Sequence, residues 1–160
     1  MSEIENKMKL IRIFLVAVAV LSVNSFANQV TTDQVTTDQV KFSNAWVKMP
    51  MPGMQMTAGF VDIENVTTSD IRVVAVRTLF SANSELHNMA MVNNVMQMRR
   101  AIDGWVITPG ATLTLAPGGN HAMLMGLMSK LKNQSEVLLE FNIEGIGWVS
   151  VPAVVRPPKP

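Results

Sequence analysis

The sequence contains no cysteine among its 160 residues. Without a thiol, the chain cannot form disulfide bonds, a thiolate zinc site or a thiolate nucleophile. A blue-copper electron-transfer centre is excluded as well, because that site requires a cysteine sulfur. For the same reason, this sequence offers no thiol for the attachment of a lipid.

Charge is also scarce, and neither sign predominates. Charged residues make up 16% of the chain, with 13 basic and 12 acidic side chains. Nucleic-acid binding normally requires a basic face, so the composition does not favour nucleic acid as a partner. Apolar residues make up 48% of the chain, which is typical of a globular domain rather than a disordered segment.

The N-terminus has the composition of a targeting segment. Three basic residues, the last of them Arg12, precede an uninterrupted apolar run at residues 13–21, and Ser25-Phe26-Ala27 follows. This order is typical of a secretory signal peptide, and the apolar run is too short to cross a bilayer comfortably. We therefore expect cleavage after Ala27, export to the periplasm and no membrane span in the mature chain.

Three further segments follow the predicted signal peptide at residues 1–27. Residues 28–39 contain a tandem Gln-Val-Thr-Thr-Asp repeat and are predicted to be a polar, low-complexity spacer. Residues 40–155 are predicted to form the folded domain. Residues 156–160 read Arg-Pro-Pro-Lys-Pro and are predicted to be an extended tail, since successive prolines cannot continue a strand.

The predicted domain consists of short, alternating apolar and polar runs separated by Gly, Pro and Asn. Strands are predicted at residues 40–48, 57–65, 71–80, 85–91, 95–101, 112–116, 121–125, 136–142 and 148–155. Short strands at intervals of about ten residues indicate an all-β fold, either an antiparallel sandwich or a barrel. Residues 126–132 are the one stretch where a turn of helix is expected.

The two histidines of the chain occur in the same local motif, and methionine is abundant, with 13 residues. Met89 follows His87 by two positions, and Met123 follows His121 by two. In a strand, residues i and i+2 point to the same face. Each motif therefore presents an imidazole beside a thioether.

A predicted hairpin brings another methionine to the first motif. Asn93-Asn94 suits a two-residue hairpin turn, because asparagine tolerates the left-handed conformation that such a turn needs. With that turn, Met89 faces Met98. Met98 then shares a face with His87, within reach of one metal ion.

Imidazole and thioether together suit Cu(I), and they suit Mg²⁺, Ca²⁺ or Mn²⁺ poorly. Zinc is rarely bound by methionine, so it is the weaker candidate. Neutral ligands leave the charge of Cu(I) uncompensated, which favours its exchange with a thiolate-bearing acceptor. Methionine in a strand is more commonly a packing residue, so a metal-free β-sandwich that binds other molecules is an alternative.

A second methionine cluster lies in a proline-containing loop at residues 49–56. It includes Met51, Met54 and Met56 but no histidine. These three methionines are candidates for additional copper ligands. The alternative is an apolar loop that covers one end of the sandwich.

Residues 85–89, 95–99 and 117–127 read Glu-Leu-His-Asn-Met, Val-Met-Gln-Met-Arg and Pro-Gly-Gly-Asn-His-Ala-Met-Leu-Met-Gly-Leu. In combination these segments resemble the PCu(A)C family of periplasmic copper(I) chaperones, and the resemblance extends over residues 40–155. It implies a cupredoxin-like antiparallel β-sandwich. By motif position, it also implies that one Cu(I) ion is bound by His87, Met98, His121 and Met123, with Met89 as a neighbour or an alternative ligand.

The resemblance implies copper delivery rather than catalysis. The acceptor would be a cytochrome c oxidase subunit, one of its assembly factors or another periplasmic protein, and we expect the chaperone itself to be a monomer. No enzymatic activity is expected, because a site closed by four protein ligands leaves no position for a substrate. Copper sequestration for tolerance, with the methionine loop raising the number of bound ions, is an alternative to delivery.

Overall fold

The computed structural model of the protein describes residues 34–157. The predicted signal peptide at residues 1–27 and its cleavage site lie outside the described residues. So do residues 28–33 of the predicted spacer and residues 158–160 of the predicted tail. Within the described part of the chain, no helix is long and apolar enough to cross a membrane.

Apolar and polar residues alternate along this part of the chain, which is the pattern of half-buried strands. The described residues form eleven strands: β1 (Gln34–Thr36), β2 (Val40–Lys48), β3 (Met56–Asn65), β4 (Ile71–Arg77), β5 (Ser81–Val92), β6 (Val95–Arg100), β7 (Trp105–Ile107), β8 (Thr112–Thr114), β9 (His121–Leu127), β10 (Glu136–Ile143) and β11 (Gly147–Arg156). All nine predicted strands are present, with β1 and β7 in addition. The expected helical turn at residues 126–132 is wrong, because β9 continues to Leu127, whose backbone N–H pairs with the carbonyl of Gln55.

The strands are joined in the order β6-β5-β9-β3-β2-β11-β10-β4-β7, with β1 beside β2 and β8 beside β3. The prediction of an all-β fold is confirmed. The expectation of a purely antiparallel arrangement is wrong at one place, where β2 and β11 are parallel neighbours and Trp46 stands opposite Val154. These two strands come from opposite ends of the domain and run side by side in the same direction.

The inward-facing side chains of these strands form one continuous buried cluster. Phe42 of β2 and Phe141 of β10 stack within it, with ring centroids 5.7 Å apart. Both are fully buried, as are Ile63 of β3 and Leu124 of β9. Burial of one such side chain contributes roughly 1.5–3 kcal/mol, so this cluster is the main source of stability for the sheet.

A bulge in β2 changes which of its residues face the core. Between Ser43 and Trp46, the register of β2 against β3 shifts by one residue. Asn44, inside the shift, has a positive φ of 56°, a conformation that asparagine tolerates well. Phe42 therefore faces the core, whereas Trp46, four positions later, lies on the outer face against Phe60, with ring centroids 4.5 Å apart.

The predicted spacer at residues 28–39 enters the described structure at residue 34, where it is not a free linker. Gln34–Thr36 pair with β2, and Val35 stands opposite Phe42. Val35 packs against the buried cluster. The valine of the second repeat supplies an apolar contact that its polar neighbours lack, and this contact explains why a strand forms there.

Glu140 of β10 is held by cross-strand partners on both sides. Arg77 of β4 donates a hydrogen bond to its carboxylate at 2.8 Å, and the hydroxyl of Ser150 on β11 donates another at 3.2 Å. The hydrogen bond from Arg77 lowers the pKa of the Glu140 carboxyl from its ordinary value of 4.5, against the opposing effect of burial. The charged carboxylate is therefore favoured in the folded protein.

This lowered pKa should make stability depend on pH. A carboxyl with a lower pKa in the folded chain stabilises the fold above its unfolded pKa, and this contribution is lost as the pH falls through the folded value. Below about pH 4.5, we expect Glu140→Gln to lose unfolding free energy less steeply than the wild type, as measured by urea denaturation at a series of pH values. Glu136→Gln, an exposed position on the same strand, should follow the wild-type curve, and a Glu140→Gln curve parallel to both would contradict the prediction.

Candidate metal centre

The β5–β6 hairpin has the register that the sequence predicts. Asn93 and Asn94 form its turn, with φ of 51° and 60°. Positive φ at both central residues is what a type I′ turn requires, and its twist matches that of the flanking strands. Met89 therefore stands directly opposite Met98.

The two histidines stand directly opposite each other on the neighbouring strands β5 and β9. The ring centroids of His87 and His121 are 5.6 Å apart, and the ring planes meet at 62°. Both residues are buried, with 9% and 8% of their surface exposed. The adjacent Leu86 and Ala122 belong to the core, so strand alternation places both imidazoles on the opposite face of the sheet.

One hydrogen bond orients each imidazole. Nδ1 of His121 lies 2.9 Å from the carbonyl oxygen of Gly119, and Nε2 of His87 lies 2.9 Å from Oε2 of Glu85. Carbonyl and carboxylate oxygens only accept hydrogen bonds, so each of these nitrogens carries a proton and donates. In the neutral rings, the lone pairs are then on Nε2 of His121 and Nδ1 of His87.

Nδ1 of His87 is buried and has no hydrogen-bond partner among the described residues. A buried polar atom without a partner typically costs about 1–3 kcal/mol, and such atoms are rare in native proteins. The lone pair of this nitrogen is therefore not used by any hydrogen-bond donor among the described residues.

Glu85 lies between His87 and Arg100, and sequence reasoning missed it. Its second carboxylate oxygen is 3.4 Å from Nη1 of Arg100. The hydrogen bond from His87 lowers the pKa of the Glu85 carboxyl, against the opposing effect of burial, and the charge of Arg100 lowers it further. A carboxylate behind a metal-binding histidine fixes the orientation of the ring and makes its free nitrogen more basic. The signal available in the sequence was the position of Glu85, two residues before His87 on the same strand face.

The predicted thioether ligands flank the histidine pair on two sides. Side chains on one face of the sheet form rows that run across the paired strands. Met89 and Met98 form the row next to His87, on the side of the hairpin turn. Met123 lies one row away in the opposite direction, where it stands across from Glu85. Successive rows on one face of a sheet are roughly 6.6 Å apart. The structure therefore brings both sulfur rows next to the histidines, but it leaves Met98 and Met123 two rows from each other.

A cavity of about 520 Å³ opens beside the histidine pair. Met89 and His121 line it, together with Phe60 of β3 and with Trp46, which the β2 bulge turns outward. The guanidinium of Arg156 lies over the Trp46 ring, 4.6 Å from its centroid. Arg156 is the last residue of β11 and also lines the cavity. The prediction that the extended tail begins at Arg156 is therefore wrong by one residue.

The remaining candidate ligands lie elsewhere. Met51 and Met54 line a second cavity, of about 590 Å³, between the loop before β3 and the segment after β9. Met56 begins β3 and stands opposite Met125. Neither histidine lines the second cavity, and Met125, opposite Met56, lies four residues along β9 from His121, so the structure does not bring these three methionines to the histidine pair.

The donors around the histidine pair are soft ligands. Among residues 34–157, no group of three or more histidine, aspartate or glutamate side chains is arranged to hold a metal ion. Ca²⁺ and Mg²⁺ require several oxygen ligands, so the arrangement does not suit them. Imidazole nitrogen with thioether sulfur suits a soft cation, and Cu(I) above all.

The sequence profile of the LpqE-like family, whose members are described as lipoproteins, matches residues 40–155. The chain belongs to the LpqE-like family. A relative described as lipoprotein Lxx21020, from Leifsonia xyli subsp. xyli (strain CTCB07), is 37% identical over 115 residues, which cover 71% of this chain and 68% of the relative. This LpqE-like chain itself contains no cysteine.

Solved structures with a similar fold are PCuAC domains and the protein DR1885. The copper-bound PCuAC domain from PmoF2 has a TM-score of 0.67 and 19% identity, over 78% of this chain and 98% of that domain. Apo-DR1885 from Deinococcus radiodurans has a TM-score of 0.60 and 24% identity, over 78% of this chain and 83% of that one. DR1885 with Cu(I) has a TM-score of 0.57 and 27% identity, over 70% and 74%. The predicted cupredoxin-like sandwich and the predicted PCu(A)C resemblance are confirmed.

The metal-free protein should gain stability when His87 is made apolar. Leucine has a similar volume and removes the unpartnered nitrogen. Burial of that nitrogen should lower the unfolding free energy by more than the hydrogen bond to the partly exposed Glu85 raises it. We expect the unfolding free energy of His87→Leu to rise by about 1 kcal/mol, measured by urea denaturation with a metal chelator present. Leu86→Ala, the neighbouring change on the core face, should instead lose about 2–5 kcal/mol. A destabilised His87→Leu would contradict the prediction.

Proposed function

We propose that this protein binds one Cu(I) ion reversibly at the His87–His121 pair and passes it to a partner protein. The observation that carries the proposal is the pair itself: two buried imidazoles with ring centroids 5.6 Å apart, one of them with an unpartnered buried nitrogen. If each ring gives one nitrogen to a closed-shell ion at about 2.0–2.1 Å, as imidazoles do to zinc, the centroids lie roughly 5–6 Å apart. The 5.6 Å spacing of the two rings is therefore compatible with one shared ion.

The relatives support Cu(I) as the ion. One PCuAC domain of similar fold is copper-bound, and DR1885, at 27% identity, was solved with Cu(I). The imidazole and thioether donors of this chain are those that Cu(I) prefers. A metal-free binding role is less consistent with the unpartnered nitrogen of His87, because its cost to stability would then serve no purpose.

The proposed sulfur ligands come from the rows on either side of His87. Met123 would complete the site from β9, and Met98 from β6, which is the set implied by the PCu(A)C resemblance. Met89 competes with Met98, since the two share a row and Met89 lines the cavity beside His121. Met98 is 50% exposed, so its thioether is free to move toward a bound ion and away from it.

The neutral charge of the proposed ligands favours transfer of the copper ion to an acceptor. Two imidazoles and two thioethers are neutral, so the charge of Cu(I) is uncompensated until a thiolate of the acceptor replaces one of them. The half-exposed Met98 and the cavity at His121 give an acceptor access to the ion. Four protein ligands leave no open coordination position, so we propose a carrier rather than an enzyme.

The proposed cellular setting rests on the sequence. The signal peptide at residues 1–27 would direct the protein to the periplasm, where it would act as a monomer without a membrane span. The domain at residues 40–155 would carry the copper. The acceptor would be a cytochrome c oxidase subunit, one of its assembly factors or another exported copper protein.

The ligand set can be tested by titrating the mature chain with Cu(I) against a chromogenic Cu(I) chelator under anaerobic conditions. We expect His87→Ala to weaken binding at this site by roughly 100-fold or more, because the loss of a ligand should exceed the 10- to 100-fold loss typical of changes behind a ligand. Met98→Leu and Met89→Leu, made singly and together, identify the thioether that shares the ion. Met96→Leu, at a half-exposed position on the same hairpin, should keep the wild-type affinity.

X-ray absorption of the copper-loaded protein provides an independent readout of the same site. With Met51, Met54 and Met128 replaced by leucine, so that the histidine site alone is read, the protein should show two nitrogen and two sulfur scatterers, and the same protein without the bound methionine should show one sulfur fewer. Wild-type affinity and spectrum in a His87→Ala/His121→Ala variant would overturn the proposed function.

Glu85→Gln tests whether the carboxylate positions His87. The glutamine keeps the size of the side chain but loses the charge that orients the imidazole, so we expect Cu(I) affinity to fall roughly 10- to 100-fold with the same four scatterers retained. Glu64→Gln, which removes an ion pair with Lys41 on β2, is the matched control and should not change the affinity. Equal affinities in the two variants would show that Glu85 has no positioning role.

A further inference from the structure

A second group of thioethers converges away from the histidine pair. Met49, Met51 and Met54, from the loop before β3, and Met128, from the segment after β9, line the same cavity of about 590 Å³. All four are exposed, from 36% for Met49 to 65% for Met51 and Met128. Side chains this exposed contribute little to core packing, so packing does not account for their convergence.

The loop that carries three of these methionines has a defined turn. The backbone N–H of Met54 donates to the carbonyl of Met51 at 3.0 Å, which closes a four-residue turn. Pro52 fixes its second position, and Gly53, with φ of 81°, takes the third, as a type II turn requires. The turn holds the Cα atoms of Met51 and Met54 within roughly 7 Å of each other, so two thioethers start from adjacent points.

The opposite side of the cavity is also attached by backbone hydrogen bonds. The N–H of Leu127 donates to the carbonyl of Gln55 at 3.1 Å, and the N–H of Met128 donates to the carbonyl of Phe80 at 2.9 Å. Met128 is thereby held next to the loop that carries Met54. On both sides of the cavity, the backbone that carries the thioethers is therefore held by hydrogen bonds.

We infer that this cavity is a second Cu(I) site, in which thioethers are the only side-chain ligands. The described residues that line it include no histidine and no carboxylate, and the sulfurs are the soft donors present. Such donors select Cu(I) over hard divalent ions. Lys130 also lines the cavity, but it is exposed, so solvent and salt screen its charge.

The second site is distinct from the histidine pair. His121 begins β9, and Met128 follows the end of that strand, seven residues later. Seven residues of extended chain span roughly 23 Å, so one ion cannot be shared between the two sites. The wild-type protein should therefore bind two Cu(I) ions.

Leucine substitutions separate a metal site from an apolar docking surface. Leucine keeps the volume and the apolar surface of methionine but has no sulfur donor. A patch that only contacts another protein would tolerate Met→Leu changes, and the number of bound copper ions would not depend on its methionines. A thioether site would lose its ion.

The first test counts the Cu(I) ions bound by the mature chain under anaerobic conditions. We expect two in the wild type and one in Met51→Leu/Met54→Leu/Met128→Leu, with the affinity for the remaining ion unchanged. Met96→Leu is the matched control: it is 46% exposed, but it lies on β6 and does not line the cavity, so two ions should bind. Two ions bound by the triple variant would overturn the inference.

The second test separates this inference from the proposed function. A His87→Ala/His121→Ala variant labelled with ¹³C at the methionine methyl groups should bind one Cu(I), and the methyl resonances of Met51, Met54 and Met128 should shift. Unmoved resonances would overturn the second site while leaving the histidine site intact. In a third outcome, the wild type binds one ion, the triple variant loses it and the histidine variant retains it. That result would support the second site and overturn the proposed function.

Discussion

The pairing of β5 with β9 sets the distance between the two imidazoles, and the proposed copper site depends on it. Side chains directly opposite on adjacent strands start roughly 4.5–5.5 Å apart at Cβ, so His87 and His121 cannot separate unless the ladder breaks. A slip of one residue would turn His121 into the core and bring Ala122 to the outer face. The buried Leu86 and Leu124 on the core face of the same strands make such a slip costly. The core beneath the histidines therefore fixes the spacing that the metal requires.

Three asparagines with positive φ shape the surroundings of that pair. Asn44 lies in the bulge that turns Trp46 outward to form a wall of the cavity beside the histidines. Asn93 and Asn94 form the hairpin turn that sets the register of the sulfur row. Asparagine adopts this conformation at lower cost than other residues with a Cβ atom. The access route and the thioether positions are thus determined by local backbone geometry rather than by the ligands themselves.

Rules that act within a few residues predicted much of this structure, whereas the pairing of strands distant in the sequence did not follow from such rules. Strand alternation and turn chemistry operate within a few residues, which is why all nine expected strands and the Met89–Met98 register are present. No spacing rule makes β9 the neighbour of β5, so the proximity of the histidines rested on the family resemblance. The bulge that redirects Trp46 depends on a one-residue mismatch between strands, which periodicity alone does not reveal. The role of Glu85 was missed because a carboxylate on a strand is usually solvated.

β9 also connects the two places where sulfur converges. His121, Met123 and Met125 occupy alternate positions along it, and Met56 stands opposite Met125, so every row between the histidine pair and the end of the strand carries a thioether. Rows roughly 6.6 Å apart lie within the combined reach of two long, flexible side chains. The sheet thus fixes the spacing of the histidines, while the long methionine side chains leave the positions of the sulfur atoms adjustable.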